Sequence, residues 1–142
     1  MRQIFLPIVA AFIFSACNQT GQAPISQQKE IVETYMEGFR HTDHEKILNC
    51  LTDDVVWECP GLFSHTGKAA YDKEIENPNA DGHPQITVTR MIEEGNIVIA
   101  EGTVVAKLKN APPLHVVFCD VFHFTNGKIS KLTSYLMFPQ QP

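Results

Sequence analysis

Apolar positions recur along this chain with two periods, a helical one early and an alternating one later. Ile31, Val32, Tyr35, Met36 and Phe39 fall on one face at helical spacing. The segment from Ser26, a capping residue, to about Arg40 is therefore predicted as an amphipathic helix. Asp43 is placed to cap a second, short helix through Leu51, with Ile47, Leu48 and Leu51 inward. Asp53-Asp54 reads as a turn and residues 55–59 as a strand that Pro60-Gly61 ends. A third short helix is predicted from near Gly67 to before Asn77-Pro78, followed by a loop over 79–84. Four strand-like stretches complete the pattern, at 86–93, 97–107, 114–125 and 128–138. They are joined by Gly95-Asn96, by residues 110–113 and by Asn126-Gly127, the strongest hairpin signal because both residues tolerate positive φ. Helices first and a strand meander afterwards predict an α+β fold, a curved antiparallel sheet with three N-terminal helices on its concave side.

The first residues follow neither period. Met1, Arg2 and Gln3 precede a largely apolar run from Ile4 to Phe14, and Ser15-Ala16-Cys17 closes it. This is the pattern of a secretory signal. As a helix the run would span only about 16 Å, short of a bilayer core of about 30 Å, and Pro7 interrupts it. Phe14-Ser15-Ala16-Cys17 resembles a bacterial lipobox, with Phe14 where Leu, Val or Ile is usual. The resemblance implies a signal peptide over 1–16, lipidation of Cys17 and a polar tether over 17–26. It also implies an exported protein anchored to the outer membrane, or otherwise periplasmic or secreted.

Composition narrows the functional classes. The 142 residues carry a net charge of −5, which becomes −6 once Arg2 is removed, and their lysines are scattered. A nucleic-acid site needs clustered cations to neutralise phosphates, so none is expected, and membrane contact is expected through the lipid anchor alone. With Cys17 lipidated, Cys50, Cys59 and Cys119 remain, an odd number without metal-site spacing. His41 and His44, with Glu45 beside them, lack an evident third ligand, so no metal and no cofactor are expected.

Five local motifs in order carry a resemblance over residues 27–138. They are Tyr35-Met36-Glu37-Gly38-Phe39, the run from Leu51 to Pro60, His65-Thr66-Gly67-Lys68, the run from Cys119 to Phe124, and Gly127-Lys128-Ile129. Together they resemble the nuclear-transport-factor-2-like superfamily and, within it, the SnoaL-like and ketosteroid-isomerase-like proteins. That resemblance implies a cone closing around an internal pocket. It also implies a sheet face that often packs on a second subunit, hence a homodimer. It does not settle a reaction, because one fold hosts many.

Alternation places candidate pocket residues. Val55, Trp57 and Cys59 share one strand face, and Leu114, Val116, Phe118, Asp120, Phe122 and Phe124 another. Asp120 is the one acid in an apolar set, so its pKa is expected to rise. Aligned by motif with ketosteroid isomerases, Tyr35 falls on the tyrosine donor and Asp120 on the protonated acid donor to a developing oxyanion. The position of that family's general-base aspartate is Cys59, a poor proton shuttle near neutral pH. His65, expected in a loop at the pocket mouth, is the other candidate base. His115 and His123 are expected on the outward face, with Val117, Cys119 and Val121.

Three functions fit these residues. The first is a module holding a small hydrophobic molecule, oriented by Tyr35 and Asp120 and walled by Trp57, Cys59, Phe118 and Phe122. The second is an enolising isomerase, cyclase or dehydratase that uses Tyr35 and Asp120 as oxyanion donors and His65 as base. The third is a structural lipoprotein whose pocket is filled by its own side chains.

Overall fold

The computed structural model describes residues 25–139, so the signal segment and Cys17 lie outside the described residues. Three helices, α1 (Gln27–His41), α2 (His44–Asn49) and α3 (Lys68–Asp72), pack on one face of a six-stranded sheet. The strands are β1 (Leu51–Cys59), β2 (Phe63–Thr66), β3 (Gln85–Glu94), β4 (Ile97–Leu108), β5 (Ala111–Thr125) and β6 (Lys128–Met137). Their order across the sheet is β2-β1-β6-β5-β4-β3. Every pairing is antiparallel except β1 with β6, which run parallel, so the sheet is mixed.

Both helix caps form as the sequence predicts. Ser26 Oγ accepts from the Lys29 amide at 3.2 Å and Asp43 Oδ1 accepts from the Lys46 amide at 2.9 Å. Val32, Tyr35 and Met36 face the core, and α1 turns into α2 at a close approach. A Cβ on Gly38 would lie 2.6 Å from Ile47 Cγ1, so only glycine lets the two helices meet there.

The sequence-based boundaries fail at four places. Leu51 belongs to β1, not to the second helix, because it pairs with Ile129 of the parallel neighbour. Asp53 and Asp54 are exposed residues of that strand beside a register shift, and they make no turn. His65 lies in β2, a four-residue strand held by pairing with Val56 to Cys59, so it is not a loop residue. Strand β5 also starts earlier than predicted, at Ala111. Leu108 pairs with Ala111, and a bulge after Ala106 accommodates the prolines that follow.

The hairpin at Asn126-Gly127 forms with φ of 50° and 74°. On β5 the inward face is Val116, Phe118, Asp120, Phe122 and Phe124, all buried. The outward face carries Val117, Cys119 and Val121, flanked by the exposed Tyr135 and Met137 of β6. No helix among the described residues is long and apolar enough to cross a membrane.

Candidate functional site

The curved sheet and α1 enclose a cavity of about 280 Å³, partly open to solvent. Helix α1 contributes Tyr35, Met36 and Phe39. The strands contribute Trp57, Phe63, Ile86, Val104, Phe118 and Leu136. These side chains make the wall apolar and strongly aromatic. Phe39 meets Trp57 edge-on at 6.1 Å and Phe63 meets Trp57 at 5.3 Å. Tyr71 of α3 stacks behind the indole at 4.6 Å and fixes its plane.

Asp120 and Ser134 form the polar floor. They are register partners on β5 and β6, both buried. The Trp57 Nε1–H donates to Ser134 Oγ at 3.1 Å. An indole nitrogen can only donate, so the serine oxygen accepts there and its own proton is left for the Asp120 carboxyl. Asp120 Oδ1 has no hydrogen-bond partner among the described residues. Burial pushes the Asp120 pKa up to about 7, and the Ser134 hydrogen bond restrains the rise.

The Tyr35 hydroxyl lies 2.6 Å from the Tyr71 hydroxyl, and both phenols are buried. Burial pushes both pKa values well above the ordinary tyrosine value, so both stay protonated. One hydroxyl donates to the other, which leaves a single proton of the pair for a further acceptor.

At the mouth stands Glu74, just after α3, with Oε1 3.1 Å from His65 Nε2. Among the described residues no cluster of three or more His, Cys, Asp or Glu side chains could hold a metal ion.

A family model for the SnoaL-like domain matches residues 32–132. The chain belongs to the SnoaL-like family. Solved structures of the same fold include an LEH-like epoxide hydrolase from M. tuberculosis, at 18% identity and TM-score 0.69 over 78% of this chain and 83% of that one. A candidate ketosteroid isomerase from Kribbella flavida is similar at 22% identity and TM-score 0.67, with 82% of each chain covered. A protein of ketosteroid isomerase-like fold from Catenulispora acidiphila, solved with trimethylamine, is similar at 17% identity and TM-score 0.67 over 75% and 84%. None of the curated proteins matches the chain.

Within this SnoaL-like domain, Tyr35, Asp120, Trp57 and Phe118 come together on one cavity. Phe122 does not reach the lining. It is fully buried behind it, with its ring edge on Tyr35 at 5.3 Å. Cys59 is also buried outside the lining, and burial pushes its thiol pKa up. His65 is absent from the lining as well. Its ring stacks on Phe63 at 4.9 Å and its Nε2 is taken by Glu74. The sequence reading missed Tyr71, Glu74 and Ser134. Alternation puts Ser134 on the inward face of β6 opposite Asp120, a signal that was available once the hairpin register was known. Tyr71 and Glu74 sit at a five-residue helix too short to show a period.

Proposed function

We propose that this SnoaL-like protein is an exported lipoprotein whose cone binds a small, largely apolar ligand. The cavity carries the reading, because its wall is aromatic and aliphatic and Asp120, a buried acid with one carboxyl oxygen unpartnered among the described residues, is part of its lining. Fixed polar groups of this kind orient ligands in otherwise apolar pockets. A core filled by its own side chains would leave no such space.

Trp57 is the single tryptophan of the chain and lines the cavity, so its emission reports occupancy. Naphthalene-sized probes are expected to quench it saturably in the full chain, and Val104→Phe, which fills the cavity, to abolish that quenching. Quenching indifferent to Val104→Phe would place the probe elsewhere and end the proposal. The anchor is tested separately. Cys17→Ser is expected to move the protein from the membrane fraction to the soluble exported fraction, and retention in the membrane would refute lipidation at that residue.

A second reading, an enolising isomerase, cyclase or dehydratase, is supported by Tyr35 and Asp120 sharing the cavity. Its base would have to be the lining carboxylate Glu74, since His65 and Cys59 lie outside the lining.

A further inference from the structure

The charge and hydrogen-bond inventory of the cone says which ligand chemistry fits. Its lining carries two acids, Asp120 in the floor and Glu74 at the mouth, and among the described residues no Lys, Arg or His lines it. Glu74 Oε1 lies 3.1 Å from His65 Nε2. Asp120 is 9% exposed, and its Oδ1 has no hydrogen-bond partner among the described residues. The donors nearest Asp120 are largely committed. Trp57 Nε1–H is given to Ser134, the serine proton to Asp120, and one proton of the tyrosine pair to its neighbour, which leaves one phenolic proton that makes no contact with Oδ1. The floor therefore offers an acceptor that lacks a donor. An anionic ligand would meet two acids and no cation, and a carbonyl would bring a second acceptor to Oδ1. The aromatic faces around the site are electron-rich and attract cations.

We propose that the ligand of the cone is a small apolar amine, bound as its ammonium ion with an N–H donated to Asp120 Oδ1 and its hydrocarbon body among Phe39, Trp57 and Phe118. The inference rests on the reading of the cavity as a ligand site. A charge-assisted hydrogen bond in a buried site is among the stronger polar contacts, and the ion pair supplies a counter-charge that Asp120 lacks among the described residues. The same geometry disfavours enolates and phenolates, whose charge has the sign of Glu74.

Three probes with one skeleton decide it: 2-phenylethylamine, 2-phenylethanol and phenylacetate, a cation, a neutral molecule and an anion. Each is titrated into the full chain while Trp57 emission is followed, at pH 8 and at pH 5. At pH 8 the amine is expected to bind about tenfold or more tightly than the alcohol, the scale of one charge-assisted hydrogen bond, with phenylacetate weakest. The preference is expected to shrink at pH 5, where Asp120 is protonated, and to vanish in Asp120→Asn at pH 8. The alcohol binding as tightly as the amine, or an amine preference that survives both Asp120→Asn and pH 5, overturns the amine assignment while leaving the cavity a ligand site. Saturable quenching by naphthalene-sized probes with none by any of the three also overturns it. Failure of every probe removes the ligand site itself. The pH comparison on the unsubstituted protein stands even where the variant folds poorly.

Discussion

Asp120→Asn is expected to flatten the pH dependence of stability and to make the protein about 2 kcal/mol more stable at pH 8. The sign follows from a carboxyl whose pKa is raised in the folded state to about 7 from an ordinary 3.8. Below the unfolded value both states hold the proton and the group costs nothing. As pH rises between the two values the unfolded chain ionises while the folded chain does not, so stability falls by about 1.4 kcal/mol per pH unit. Above the folded value the loss levels off, at about 4 kcal/mol. Asn removes that slope but leaves an amide N–H facing the cavity, which returns about 1–3 kcal/mol. Urea unfolding at pH 5, 6, 7 and 8 in both proteins measures the difference. Other groups titrate too. His44, whose pKa is raised by its hydrogen bonds to Asp72 and Glu76, loses its stabilising effect as pH rises through that raised value. Such contributions are common to both proteins and cancel. Two parallel stability profiles would show that Asp120 does not fold as a neutral buried acid.

Gly102→Ala is expected to cost about 3 kcal/mol, the upper part of the usual overpacking range, and to lower Tm by about 10 °C. An added Cβ at this position of β4 would lie 2.0 Å from the Thr87 carbonyl oxygen and 2.7 Å from Phe118 Cζ. The oxygen belongs to the neighbouring strand and cannot rotate aside. Relief must come from moving β3 at the register shift between Val88 and Arg90, or from turning Phe118. Phe118 is a cavity wall, so the variant should also weaken naphthalene-probe quenching of Trp57. Thermal unfolding with and without probe reads both effects. A Tm equal to that of the unsubstituted protein would mean that the strand separation is wider than this geometry.

The two sites separate what a sequence can carry from what it cannot. Asp120 was found from sequence because alternation along β5 is local: one acid among Val116, Phe118, Phe122 and Phe124 shows in the spacing. Its partner Ser134 is 14 residues away across a hairpin, and its role appears only when Asn126-Gly127 sets the register. The Trp57 bond to Ser134 spans 77 residues and joins two parallel strands, a pairing with no local signature. His65 was misplaced for a related reason. Four residues of alternating burial do not distinguish a loop from an edge strand, and only pairing with β1 makes them β2.

The sequence by itself determined α1 with its Ser26 cap, the last hairpin, the inward faces of β1 and β5, and the α+β class, because each depends on side-chain period or on turn chemistry within a few residues. Only the tertiary structure decided that β1 runs parallel to β6, that Tyr71 holds Tyr35, that Glu74 and not His65 reaches the cavity, and that Gly102 must stay bare beside Phe118. Those features come from contacts between segments far apart in the chain, where packing and register settle which groups meet and period carries no information.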